Sequence, residues 1–393
     1  MAKGLAALLE EESEHQWLAV GVFALFALAG GWAIHASNDL SGVGPAPVGG
    51  AWHGHSVVDI ALIDGPWEGA HVALVHTDEG ARLYQQTGLA TEDVVVLDMS
   101  ERPTRLMPQA DGSVWWDAAV GEIRGVKSGE YLSANTGLDE GKVLDLVLTE
   151  DDLTYGLLLV EHGVDTSVVA FDGLGGEFLP LEAPEGVTWT TLTLSSDGVV
   201  FAAGWRAAEG GNPASPSIIS TVAVLEHDAG ALNISVGPLD GPDGMPHSVL
   251  PTEDGHLMVA TRAGVVDVDA EGTRTLLELP STTAALDHRG DLWLVGGADS
   301  TALIQWNGET TRTRSLASPL DLQVTISDSD GDTWLMFGQT SDGENGALMV
   351  DLEHETSPLS GRGFLDLVFL LVGIISLGGL FTTWWKQARQ TLV

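Results

Sequence analysis

Short apolar or alternating runs of strand length recur through the middle of this chain. Val199-Val200-Phe201-Ala202-Ala203 and Ala70-His71-Val72-Ala73-Leu74-Val75 are examples, each bounded by turn-forming residues. Such runs predict strands rather than helices. The most legible stretch is Asp287-His288-Arg289-Gly290-Asp291-Leu292-Trp293-Leu294-Val295-Gly296-Gly297. It predicts the end of one strand, a tight turn on Gly290 and a second, more apolar strand.

Versions of that unit repeat in one register. Asp-Gly stands at 111–112, 197–198, 254–255 and 330–331, and Gly290 holds the same place in its own unit. Glycine accepts the positive φ that such hairpin turns require. Three residues beyond each glycine stands a large apolar side chain: Trp115, Phe201, Met258, Trp293 and Trp334. These five are expected to be packing residues between neighbouring units, not a cofactor cage. Two weaker units are centred on Asp64-Gly65-Pro66-Trp67 and on Asp151-Asp152, the latter between Val143–Leu148 and Tyr155–Val160. Turns near 64, 111, 151, 197, 254, 290 and 331 are 47, 40, 46, 57, 36 and 41 residues apart. A period of roughly 40–50 residues with about four strands per period predicts a β-propeller. The expected fold is all-β with seven blades over residues 56–360; counts of six or eight also fit the weak units. The last unit ends on Glu353–Leu359, which reads as its own fourth strand, so the ring is expected to close without an N-terminal strand.

Two longer inserts interrupt the pattern, at 206–216 and 237–246. The strand count places the first between the second and third strands of a blade and the second between two blades, on one face of the ring. Loops carry binding more often than strands, so Arg206, Asn212, Asp240, Asp243 and Met245 are the candidate partner-binding residues.

Outside the repeats, two apolar runs change the picture. Residues 1–15 form a polar, acidic leader, and the run 16–36 that follows carries no Asp, Glu, Lys or Arg. A glycine- and proline-rich linker spans 37–55. The second run, 363–385, contains only Asp366 as a charged residue and ends on Trp384-Trp385, before a short tail, 386–393. Both runs have the length and aromatic ends of membrane-spanning helices. Lys3, Lys386 and Arg389 lie outside the two spans and Arg362 inside. That bias predicts a two-pass cell-membrane protein with both termini cytoplasmic and the propeller extracytoplasmic.

Charge removes some partners and motifs supply few. With 56 acidic against 16 basic residues, the formal charge of −40 argues against nucleic-acid binding. A lysine-poor acidic surface fits salt adaptation. The absence of cysteine excludes disulfides and thiolate metal sites. Asp328-Ser329-Asp330-Gly331-Asp332 has the alternating acids of a calcium loop, but its glycine comes too early and coincides with the repeat turn. His53 and His55 have a spacing that metal ligands can use, within a glycine-rich linker. These are the metal candidates; no other cofactor is expected. No Gly-x-Ser-x-Gly elbow, His-Glu-x-x-His helix or phosphate-binding glycine loop is present, so no catalytic residue is assigned and a non-enzymatic role is favoured.

At Arg289–Gly297, with its glycine turn, Leu-Trp and small closing residues, the chain resembles the propeller repeats of two-component-type sensors and of WD40-like and YVTN-like domains. The resemblance implies ligand or protein binding on one face of the ring and transfers no catalytic residue. The expected function is a membrane-anchored docking or assembly module. Its alternatives are an exported propeller enzyme (lyase, hydrolase or quinone-dependent dehydrogenase) and a ligand sensor acting through a separate membrane partner.

Overall fold

A computed structural model describes residues 30, 46–47, 56–63, 70–87, 94–127, 130–149, 155–172, 179–208, 217–228, 231–296, 303–314, 322–352, 372–373 and 385. Residues Gly44–Glu353 form one compact unit, and Met1–Val43 with His354–Val393 form a second. The two apolar runs lie almost wholly outside the described residues. Among the described residues, no helix is long and apolar enough to cross a membrane.

The first unit is a seven-bladed propeller of four-stranded antiparallel sheets. Strand β1 (Ala46–Pro47) precedes blade 1, which is β2–β5 (Ser56–Ile63, Ala70–Thr77, Gly80–Thr87, Val94–Met99). Blade 2 is β6–β9 (Met107–Pro108, Val114–Ala119, Glu122–Lys127, Glu130–Asn135), and blade 3 is β10–β13 (Lys142–Leu148, Tyr155–His162, Asp165–Asp172, Leu179–Glu182). Blade 4 is β14–β17 (Val187–Leu194, Val200–Ala207, Ile218–Asp228, Ala231–Asp243), and blade 5 is β18–β21 (Ser248–Pro251, Leu257–Ala260, Val265–Val268, Arg274–Leu277). Blade 6 is β22–β25 (Thr283–Leu286, Leu292–Val295, Leu303–Trp306, Thr311–Arg314), and blade 7 holds β26–β28 (Gln323–Ser329, Thr333–Gln339, Asn345–Asp351).

Closure differs from the sequence expectation. The outer strand of blade 7 is β1, with Ala46 opposite Met349 and Pro47 opposite Leu348. The ring therefore borrows an N-terminal strand, and residues 353–359 lie outside the described residues. The borrowed strand sits in a stretch that composition marks as linker. A sheet edge tolerates proline because one side of the strand needs no N–H donor.

Hydrophobic burial is distributed around the ring. Among the described residues there are seven buried clusters, each shared by two adjacent blades, including the pair formed by blades 7 and 1. Successive side chains of a strand point to opposite sheet faces. In β15, Val200 and Ala202 pack toward blade 3, while Phe201 and Ala203 pack toward blade 5. Strands covered on both faces read as continuous apolar runs, as the fully buried second strands Leu257–Ala260 and Leu292–Val295 do.

The five register-sharing turns are present, while the weaker ones at 64–67 and 151–152 lie outside the described residues. Gly112, Gly198, Gly255 and Gly290 have φ of 78°, 85°, 84° and 78°. Each donates its N–H to the carbonyl three residues earlier, on Gln109, Ser195, Thr252 and Asp287. Trp115, Phe201, Met258 and Trp293 are buried and pack against the following blade. Trp334 is buried too, but it faces back toward Trp293 and blade 6. The cause is a turn one residue shorter: Asp330 N–H reaches Thr333 O, where Asp287 N–H reaches Asp291 O. A shift of one residue exchanges the two faces of a strand.

One predicted loop is a strand. Residues 237–243 belong to β17, the outer strand of blade 4, with register shifts that absorb the glycines and prolines. The other insert does connect the second and third strands of blade 4, β15 and β16.

Candidate functional site

The first strand of every blade lines the axis. Its inward edge has no neighbouring strand, so backbone N–H groups there need other acceptors. Several side chains of the preceding blade supply them. Asp59 of blade 1 accepts Leu106 N–H of blade 2 at 2.7 Å, and Asp145 of blade 3 accepts Leu192 N–H of blade 4 at 2.9 Å. Ser248 of blade 5 accepts Ala284 N–H of blade 6 at 3.0 Å, and the Thr283 and Ser327 hydroxyls join blades 6 and 7. At the closing seam, Asp328 of blade 7 accepts Leu62 N–H of blade 1 at 2.7 Å.

Bulges aim these groups. The inner strands of blades 1, 3, 4 and 7 each shift register by one residue, after Val57, Val143, Trp189 and Val324. An inserted residue bends the strand and redirects the side chains that follow. Asp59, Asp145 and Thr191 stand immediately beyond three of these bulges.

Two adjoining cavities of about 280 and 340 Å³ lie at the axis, both bounded by Arg105, His247 and Ser327. Asp328 lines the first and Asp59 the second. Both carboxylates sit deep in the ring yet keep some surface open to this internal space. Burial pushes Asp59 up to about 6 despite its hydrogen bonds and the pull of Arg105, and the Asp145 charge adds to the rise. Burial pushes Asp328 up to about 7, with Asp59 and Asp330 adding repulsion. His247 is held below the usual imidazole range, first by burial and also by nearby Arg262. It is therefore neutral at neutral pH, with Nδ1 3.0 Å from Ser248 Oγ and Nε2 3.2 Å from Ser281 Oγ.

Among the described residues, Arg105 is the cation that lines the chamber. It leaves the chain beside blade 2 and passes blade 3, donating to Thr190 O at 2.7 Å and Thr191 Oγ1 at 3.1 Å on blade 4. Asp145 lies 3.5 Å from the same guanidinium.

The mouth of the chamber is set by topology. Thr104, Arg105, His247 and Thr282 stand where inner strands begin. Connections between second and third strands, and between blades, emerge on that same face. Three exposed apolar side chains mark its loop tips: Val120 in blade 2, Val164 in blade 3 and Met245 between blades 4 and 5, at 62%, 86% and 50% exposure.

The residues expected to act from sequence fall as follows. Arg206 forms a two-point ion pair with Asp240, at 2.8 and 2.7 Å, across blade 4. Asp243 closes β17 and accepts the Thr261 hydroxyl on its backbone oxygen. Met245 is exposed on the mouth face, while Asn212, His53 and His55 lie outside the described residues. Asp328, Asp330 and Asp332 do not converge. Asp328 faces the axis, Asp330 accepts the N–H groups of Asp332 and Thr333 in its own turn, and Asp332 lies 3.5 Å from His288. Among the described residues, no group of three His, Asp or Glu side chains is placed to hold a metal ion. Sequence reading missed Arg105, Asp145 and His247, and gave Asp59 no place at the axis. The usable trace was an acid inside an otherwise apolar first strand, as in Val57-Val58-Asp59-Ile60 and Val143-Leu144-Asp145-Leu146.

No family model and no curated protein matches the chain. Solved structures do resemble it. A streptogramin B lyase is 13% identical, with 75% of this chain and 93% of that one covered and a TM-score of 0.51. YCF48 bound to D1 peptide is 16% identical, with coverage of 78% and 95% and a TM-score of 0.50. A puromycin-hydrolyzing peptidase of Mycobacterium tuberculosis is 17% identical, with coverage of 79% and 54% and a TM-score of 0.53. At such identities the likeness establishes the propeller fold, among neighbours that include lyase and hydrolase enzymes.

Proposed function

We propose that this chain is a membrane-anchored binding module whose propeller docks a protein partner on the face where the inner strands begin. The observation that carries the reading is the placement of Val120, Val164 and Met245. Three apolar side chains stand exposed at loop tips on the face where the inner strands begin. Exposed apolar groups clustered on one face mark interaction surfaces more often than scattered ones do. A neighbour of the same fold, YCF48, is described bound to a D1 peptide, so the scaffold accommodates peptide partners. Membrane attachment rests on the apolar runs at 16–36 and 363–385. With the bias of Lys and Arg, it places the propeller outside the cell membrane and both termini inside.

A second reading, an exported enzyme, is favoured by neutral His247 between two serine hydroxyls in the chamber. Lyase and peptidase neighbours share the fold.

Site-specific photo-crosslinking in the full chain separates these readings. Probes at Val120, Val164 and Met245 should trap the same partner. A probe at Glu271, in an exposed turn on the opposite face, should not. Equal trapping at all four positions, or none from the mouth face, would reject docking there.

A further inference from the structure

We infer that the axial chamber is a binding site for a small zwitterion, a molecule carrying one ammonium and one carboxylate, of which a free α-amino acid is the simplest form. This rests on the reading of the mouth face as the binding face and adds a ligand class to it.

The chamber is charged oppositely on its two sides. Arg105 brings its guanidinium to Thr190 and Thr191 of blade 4. Asp59 and Asp328 stand on blades 1 and 7, across the ring from blade 4. Two Arg105 hydrogen bonds go to Thr190 and Thr191, and its acidic neighbour, Asp145, is itself occupied by Leu192 N–H and the Thr191 hydroxyl. A guanidinium offers further N–H donors in a fork that matches a carboxylate. On the other side, neither Asp59 nor Asp328 belongs to an ion pair among the described residues. Both carboxylates lie deep in the ring, where an unpaired charge is costly. An ammonium placed between them would supply the missing counter-charge.

Size and lining narrow the choice. Cavities of about 280 and 340 Å³ stand at the low end of the roughly 300–1,000 Å³ typical of ligand pockets. Ser248, Thr283 and Ser327 offer hydroxyls for the ligand's remaining polar atoms. A simple cation would leave the remaining N–H donors of Arg105 unused, and a simple anion would meet two carboxylates. A neutral sugar would use the hydroxyls and neither charge.

Binding should also be linked to protons. The charged and titratable groups facing the pair are Arg105, Asp145, Asp330 and His247, and His247 is already neutral. Asp59 and Asp328 retain protons up to about 6 and 7. An incoming ammonium displaces those protons, so affinity should rise as pH climbs toward and through that range and protons should be released.

The experiment is calorimetric and thermal-shift titration of the full chain in mild detergent. The probes are the free L-amino acids, their C-terminal amides and their N-acetyl forms. At least one parent amino acid should bind, with its amide and its N-acetyl form each about tenfold weaker or more. Arg105→Gln should abolish discrimination against the amide, and Asp328→Asn should abolish discrimination against the N-acetyl form. Silence across all parent amino acids, or derivatives that bind as well as the parent, overturns the inference. Discrimination that survives in both variants overturns it too. Partner trapping from Val120, Val164 and Met245 needs no added amino acid, so failure of the zwitterion leaves the docking reading separately decided.

Discussion

The layers between blades and the wall of the axis hold the same ring together by opposite means. Between blades, apolar side chains from facing sheets bury one another, as Phe201 does against Leu257 and Val259. At the axis, polar groups of one blade receive N–H groups of the next, as Asp145 does from Leu192. The first kind of contact tolerates exchange of similar volumes. The second depends on one atom in one place, and deleting an acceptor leaves a buried donor unsatisfied. Burial therefore gives the ring its cohesion, while the axis supplies directed contacts together with an interior where charge is costly and ligands are distinguishable.

That contrast can be broken at either end. The largest expected effect is Trp293→Ala. It removes a fully buried ring between blades 6 and 7 and the Nε1 hydrogen bond to Asp287. Stability should fall by about 3–5 kcal/mol, read by urea denaturation of the full chain in detergent. Next is Asp145→Ala, which strips the acceptor from Leu192 and the Thr191 hydroxyl and leaves Arg105 without its acidic neighbour. A loss of about 2–3 kcal/mol is expected, and a variant as stable as the parent would show that the axial bonds contribute nothing net. Arg206→Ala should cost only about 0.5–1 kcal/mol, because the ion pair with Asp240 is partly open to water and screened by salt. Its effect should shrink further in high salt, whereas the effect of Trp293→Ala should not.

Legibility in the sequence follows the same division. The layers between blades were readable because they rest on local signals. Asp-Gly turns demand a positive φ, and a Trp at fixed distance lands in a predictable layer. Even there the reading slipped by one residue in blade 7, where the shorter turn at Asp330 sends Trp334 to the other face. The axis was not readable because its contacts join distant residues: Arg105 meets Thr190 across 85 positions and Asp328 meets Leu62 across 266. In a chain with 56 acidic residues, three carboxylates on inner strands do not stand out. Closure failed for a related reason. Ala46–Pro47 looks like linker, and its role as a strand depends on the exposed edge of β28, which forms some 300 residues later.

The central claim is that the axis holds carboxylates whose charge is uncompensated when the chamber is empty. Asp328→Asn tests it, since asparagine keeps the acceptor for Leu62 N–H and cannot ionise. A folded-state value of about 7, above the ordinary 3.8, means that Asp328 adds stability at low pH. That contribution is lost as pH rises through about 7. Thermal melting of parent and variant in detergent, from about pH 5 to about pH 8, cancels the repulsion among surface acids that both share. The variant's stability relative to the parent should grow by about 2–3 kcal/mol from the acidic end to the alkaline end, because the loss begins above the unfolded value of 3.8 and is complete near 7. Parallel curves would contradict the account.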